Sequence, residues 1–358
     1  MATPTYAAPT PLNTPMFSDT PLSHAIKEAL LDRIWPTPGT PFQQEIIEFE
    51  TYFTYFQQES KSAWAQYHAI QTFEDFILIL DITRGNPTTS LANLRTIIAN
   101  IKPSLASDQT KLSASIELVI HLWLLTSVAI WSHPSRHPKE GSFPWLESQS
   151  LCGVLERHMT VPAVSNASAN EAFSDYLNVV KMKKIANFQV VWTDDLADHL
   201  TMRDNTVYLF YQVVALRKLS TSMSLPGSTS VFLPAEFINE TLATLSLLVP
   251  HTKQGCNAWL RAQVDTFRLD PFIILDRQLV ERGKRKYPYW QVRLVALAEA
   301  FDKKMPTGPI QWWYDRRDMG RWWNYWLIVL GIVLTILFGL IQSVTGILQV
   351  IGVGGGGG

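Results

Sequence analysis

The residues best suited to chemistry lie in one short stretch, "WTDDLADHL", residues 192–200. Asp194, Asp195 and Asp198 spell D-D-x-x-D, a spacing that presents carboxylates to Mg²⁺ on isoprenoid diphosphates, and His199 follows directly. Hard oxygen ligands suit magnesium. That chemistry uses a second metal-binding segment far downstream, and neither another D-D-x-x-D nor N-D-x-x-S-x-x-x-E occurs. The stretch also leaves a strand-like run, "FQVVW", and opens a short helical turn. Acidic residues in a first helical turn oppose the helix dipole and cap free N–H groups, with Thr193 or Asp194 as the expected cap. Capping is therefore the expected role of these carboxylates, with metal binding as the alternative.

A second constellation is His133, His137, Cys152 and His158. Pro134 interrupts the H-x₃-H pair and the remaining spacing matches no zinc finger, so these residues read as loop. "RGKRKY" supplies Arg282, Lys284, Arg285 and Lys286, a basic loop able to meet anionic lipid headgroups. No nucleophile elbow, phosphate loop, dinucleotide fingerprint or paired metal-ligand motif is present, so no cofactor is implied. A net charge of −1 gives no argument for nucleic acid as a partner. The two cysteines form no CxxC pair, which fits a reducing compartment.

The elements that position these residues are mainly α-helical, with a small α+β portion around 185–215. Residues 1–21 hold five prolines and five threonines and read as a disordered tail. They have neither the basic start nor the apolar run of a signal peptide. Residues 22–132 read as a helical sub-domain. "SHAIKEALLDRIW" is capped by Ser23, and "FQQEIIEFETYFTYFQQESKSAW" is an aromatic-rich helix. Three more helices are predicted near 71–82, 89–102 and 109–132. The apolar run 118–131 has only 14 residues, which argues for a buried core helix with His121 as a hydrogen-bonded core histidine. Residues 133–170 read as a loop-rich connection and 171–304 as an α+β sub-domain. In the latter, "TVYLFYQVV" is a strand, while "PAEFINETLATLSLLV" and "YWQVRLVALAEAF" are helices. Residues 305–324 form a juxtamembrane segment, and 354–358 are a glycine tail.

Residues 325–344 read as a transmembrane helix, with the apolar run continuing to 353. A bilayer core about 30 Å thick needs about 20 helical residues, and Tyr325 to Val344 supplies 20 without a charge. Trp312, Trp313, Trp322, Trp323 and Trp326 form an aromatic belt beside it. Lys303, Lys304, Arg316, Arg317 and Arg321 precede the span and no basic residue follows. The positive-inside rule then places the N-terminal region in the cytosol, a tail-anchored topology in an unspecified membrane. Gly331, Thr335, Gly339 and Ser343 recur at every fourth residue. At ~100° per residue they share a roughly 160° arc with Gln342, Thr345, Gly346 and Gln349. Small residues at that spacing predict association between copies of the span.

Several of these segments resemble a large fungal family of uncharacterised proteins. They are "VVWTDDLADHL", "ETLATLSLLVP", "PIQWWYDRRDMGRWWNYW" and "LTILFGLIQSVTGILQV". In order they run from about Ile185 to Val350, roughly half the chain. The resemblance implies an α-rich domain ending in one C-terminal span and carries over no catalytic residue. In that family asparagine often stands where this chain has Asp195, which tells against a fixed magnesium ligand there. Two-span magnesium channels of the CorA type differ, because they need a Gly-Met-Asn loop between two spans.

The leading expectation is an interaction or scaffold protein that self-associates through its span. The alternatives are a membrane-bound metal-dependent enzyme using Asp194, Asp195 and Asp198, or a channel subunit lined by Thr335, Gln342 and Gln349.

Overall fold

The computed structural model describes residues 11–36, 46–130, 141–161, 177–223, 232–250, 254–275 and 286–354. Helix is 66% of the structure, with two small sheets. The first helix, α1 (His24–Ile34), begins where Ser23 Oγ accepts from the Ile26 N–H, and it buries Leu30, Leu31 and Ile34. Next, α2 (Glu50–Glu59) buries Tyr52, Phe53, Tyr55 and Phe56, a stripe at helical spacing. A capping box starts α3 (Phe73–Gly85): Thr72 Oγ1 accepts from the Asp75 N–H while the Asp75 carboxylate accepts from the Thr72 N–H. Ser90 caps α4 (Leu91–Ile101), and Asp108 caps α5 (Gln109–Leu124).

Buried almost all round, α5 is the central helix of the core. It was expected to continue to 132 but stops at Leu124, where Leu125 adopts a left-handed φ of 55°. A helix ending inside the core leaves buried carbonyls that need donors. Tyr52 Oη supplies one to the Leu122 carbonyl (2.9 Å), and Trp35 Nε1 supplies another to the Trp123 carbonyl (3.0 Å). The freed chain becomes β1 (Val128–Ile130), which pairs in parallel with β2 (Phe143–Trp145). After it, α6 (Leu151–His158) is capped by Ser150. The segment 133–170, expected to be loop, thus carries a strand and a helix. Both are short, and their apolar residues gain burial only from the neighbouring core.

In the second half, α7 (Val179–Ala186) leads to a three-stranded sheet of β3 (Gln189–Thr193), β4 (Met202–Arg203) and β5 (Thr206–Phe210) in the order β3-β5-β4. β3 and β5 are parallel, so the chain between them must cross over. The 194–205 segment does this in one compact loop containing the acidic motif. The expected strand at 206–214 ends at Phe210, and its last residues enter α8 (Val213–Met223). There follow α9 (Ala235–Leu248), α10 (Gln254–Phe267), the short α11 (Phe272–Leu275), α12 (Gln291–Lys303), α13 (Pro309–Tyr314) and the long α14 (Met319–Gly354).

One buried cluster runs through both halves, from Met16, Trp35, Phe56 and Phe76 to Phe210, Phe237, Leu294 and Phe301. The expected 1–21 tail is corrected for residues 11–21; residues 1–10 lie outside the described ones. The Met16 N–H donates to the Gln71 carbonyl (2.9 Å), the Phe73 N–H donates to the Thr14 carbonyl (3.2 Å), and Met16 is 1% exposed. Proline and threonine content pointed to disorder, but Leu12, Met16, Phe17 and Leu22 supply apolar anchors among them. Met16→Ala should therefore lower stability by about 2–4 kcal/mol in urea unfolding. A change below about 0.5 kcal/mol would mean this segment is not packed.

Candidate functional site

The 194–205 crossover sets its acidic residues to different tasks. Asp195 is 5% exposed and caps a single 3₁₀ turn, Leu196–Asp198. Its Oδ1 accepts from the Ala197 N–H (2.8 Å) and from the Ser127 N–H (3.1 Å), across the fold from the end of α5. Thr193 Oγ1 in turn accepts from the Asp195 N–H (3.1 Å). The cap is thus Asp195, two positions beyond Thr193 and one beyond Asp194, because the turn starts only at Leu196. Asp198 pairs with Arg203 at 3.0 Å. Burial, and then the neighbouring Asp195, lift its carboxyl above the ordinary carboxylate range, against the pull of Arg203 and Arg293.

His199 is fully buried. Its Nδ1 accepts from the Phe210 N–H (3.1 Å), which leaves the proton on Nε2 to be donated to Thr244 Oγ1 (2.7 Å). The Thr244 hydroxyl in turn donates to the Thr241 carbonyl (2.6 Å), and Trp290 meets the imidazole edge-on at 4.8 Å. Burial, reinforced by the Arg293 charge, pushes the imidazole down to about 3, so it stays neutral. The D-D-x-x-D carboxylates and His199 therefore form no common metal site. One caps, one pairs with arginine, and His199 belongs to the core.

Asp194 is the exception. Consecutive residues leaving a strand point to opposite sides, and Asp194 turns away from Asp195 toward α2 and α5. There its carboxylate, the Glu59 carboxylate and a ring nitrogen of His121 all lie within 4.8 Å of one another. His121 is 5% exposed, and its Nδ1 lies 3.0 Å from Ser127 Oγ, so the expected core hydrogen bond is present. Its Nε2 has no hydrogen-bond partner among the described residues, and neither has the buried hydroxyl of Tyr55. The Tyr55 ring stands edge-on to His121 at 5.6 Å. Burial, then Asp194, Glu59 and Asp195, hold the Tyr55 hydroxyl well above its ordinary range. Burial and then Asp194 raise Tyr211 to about 12. Glu59 and His121 escaped sequence reasoning because their distances along the chain from Asp194 match no motif. The available signal was a single histidine inside the apolar α5.

His133 and His137 lie outside the described residues. Cys152 and His158 are six positions apart on α6, about 240° around the helix, and His158 stacks on Phe143 at 4.6 Å. They do not face one site. Arg282, Lys284 and Arg285 also lie outside the described residues, and Lys286 is exposed.

Between the domain and the last helix, the aromatics form a packed joint. Trp312 stacks on Tyr325 at 4.7 Å, Trp313 meets Trp326 edge-on at 5.3 Å, and Trp322 meets Trp323 at 5.0 Å. Arg316 lies over the Trp322 ring at 5.4 Å, and Arg321 pairs with Asp318 at 3.1 Å. Arg317, one of the five basic residues counted ahead of the span, turns inward. Its guanidinium binds Asp315 (2.8 Å) and the Phe301 and Lys304 carbonyls (2.5 and 2.7 Å), because the end of α12 leaves these acceptors to be satisfied. Beyond the joint, Met319–Gln349 is long and apolar enough to cross a membrane, and its most apolar stretch has no burial against the domain. Thr335 Oγ1 donates to the Gly331 carbonyl (2.8 Å) and Ser343 Oγ to the Gly339 carbonyl (2.9 Å). These hydroxyls are satisfied within the helix. A Cβ added at Gly331, Gly339 or Gly346 would meet no other atom.

No protein-family model, curated protein or solved structure matches this chain.

Because both bonds to Asp195 use Oδ1, Asp195→Asn should stay within about 1 kcal/mol of wild type. Asp195→Ala should lose about 2–3 kcal/mol by stranding buried N–H groups. Equal losses in urea unfolding would remove Asp195 from this role. For His199, the folded value near 3 lies below the unfolded value of about 6.5. The unfolded chain therefore takes up the proton first, and stability is lost as pH falls from about 6.5 toward 3. Wild type should lose more stability than His199→Gln between pH 7 and pH 4.5. Parallel losses in chemical denaturation would contradict a buried neutral imidazole.

Proposed function

We propose that this chain is a single-pass membrane protein whose α-rich region sits on the cytosolic face and acts by interaction, with copies associating through the span. The observation that carries this reading is α14. Its exposed apolar side chains follow one another from Leu327 to Leu348, a surface very costly in water, whereas the exposed large apolar side chains elsewhere among the described residues are scattered along the chain. Orientation is supported by Lys303, Lys304, Arg316 and Arg321 ahead of the span. With Arg317 turned inward, fewer charges face the membrane surface than the sequence offers.

Self-association is supported by the shared face of Gly331, Thr335, Gly339, Ser343 and Gly346, with Gln342 as a polar residue that prefers a helix contact to lipid. Its hydroxyls are already satisfied within the helix, so close backbone approach is the main attraction. The segments quoted above also support membership of the fungal family that this chain resembles.

Imaging should place a tagged full-length chain on a membrane and a chain truncated after Arg321 away from it. Protease added to intact organelles should digest the N-terminal region. In a two-reporter membrane assay, Gly339→Leu should weaken association roughly tenfold. Undiminished signal would rule out this face as the contact.

A further inference from the structure

We propose that Glu59, His121 and Asp194 hold a divalent transition-metal ion, with zinc the best match to one imidazole and two carboxylates. The three donors come from three separate elements: the last residue of α2, the last turn of α5 and the loop after β3. Imidazole selects zinc and its neighbours over magnesium and calcium. Donors about 2.1 Å from a tetrahedral zinc stand about 3.4 Å apart. The present spread of up to 4.8 Å closes by small side-chain rotations, and Glu59 is only half-buried.

Two further observations point to a cation. The first is the orphaned Nε2 of His121 in a ring that is 5% exposed. When Nδ1–H donates to Ser127 Oγ, Nε2 carries a bare lone pair, in a ring that has a nitrogen within 4.8 Å of both carboxylates. That is the tautomer a metal-bound histidine needs, held by the kind of outer partner such ligands have. The second is the local field. Both α2 and α5 bring their C-terminal, negative ends to the site, adding to the charge of two carboxylates.

The adjacent acids thus divide the work. Asp194 is a ligand, while Asp195 holds the Ser127 N–H and so makes Ser127 a positioning residue for His121. Three protein donors leave the fourth coordination position of a tetrahedral zinc open. This site does not depend on the span associating.

Full-length protein purified in detergent, stripped with a chelator and re-exposed to zinc should retain one zinc per chain after gel filtration. Its unfolding midpoint should rise by about 5 °C at a hundredfold excess over Kd. Co²⁺ in its place should give visible absorption bands of a low-symmetry four-coordinate ion. Glu59→Gln, at a half-buried position, should fold as judged by circular dichroism yet lose the bound zinc and the bands. Asp194→Asn should do the same. Ser127→Ala should weaken zinc about tenfold, while Cys152→Ser and His158→Asn should leave it unchanged. Wild-type protein that retains no zinc and shows no shift would overturn the site, a result that needs no variant. Equal retention in Glu59→Gln and Asp194→Asn would show that zinc binds elsewhere and overturn it too.

Discussion

The carboxylate of Asp195 is the interaction on which much of this structure depends. Among the described residues it is buried with no arginine or lysine bonded to it, and two backbone N–H groups from opposite sides of the fold stabilise it. The Ala197 N–H fixes the turn after β3, and the Ser127 N–H fixes the chain leaving α5. The Leu196 N–H donates to the Leu125 carbonyl (2.8 Å) and closes the same joint. A buried acceptor with strongly directional donors tolerates little displacement, since each stranded group costs on the order of 1–3 kcal/mol. The register of β3 against the end of α5 follows from it. So does the placement of Asp194 on the other side of the chain, facing Glu59 and His121.

Around this joint the second half is held by polar groups whose protonation is set by burial. His199 stays neutral because burial, reinforced by the Arg293 charge, disfavours the protonated ring, whose nitrogens meet the Phe210 N–H and Thr244. Arg293 Nη1 donates to the Ala197 carbonyl (2.8 Å) and also reaches the His199 carbonyl, locking the far side of the turn. Asp270, raised to about 6 by burial, still accepts from the Val214 (2.7 Å) and Phe272 (2.9 Å) N–H groups, and so ties the starts of α8 and α11 together. Each of these groups closes an element end whose backbone would otherwise be stranded in the core.

The joint before α14 works by the same logic at the surface. Arg317 closes the end of α12, and Lys184 of α7 lies over the Tyr314 ring at 4.4 Å. Packed tryptophans then carry the chain from α13 into α14 without a long linker. Burial, which alone would raise Asp315, is outweighed by its bonds to Arg317, and the carboxyl lies below the ordinary range. The ion pair is therefore intact at neutral pH. The apolar helix thus leaves the domain at a packed joint of charge and aromatic rings.

Periodicity and caps made most of the helices legible in the sequence alone. Ser23 marked the start of α1, and a charge-free run longer than a bilayer needs marked α14. These are local signals, carried by neighbours three or four residues apart. The helical turn at the acidic motif was also legible, because a capping carboxylate acts on the next two residues. The end of α5 was not, since its left-handed Leu125 depends on Tyr52 and Trp35 reaching carbonyls about 70 to 90 positions away. The inward turn of Arg317 likewise depends on acceptors at the end of another helix. The grouping of Glu59, His121 and Asp194 exists only once α2, α5 and the loop after β3 pack together. Sequence determined which residues were able to act, by type and local spacing. Tertiary structure decided which of them meet, because burial and long-range hydrogen bonding, not chain proximity, set the partners of a buried polar group.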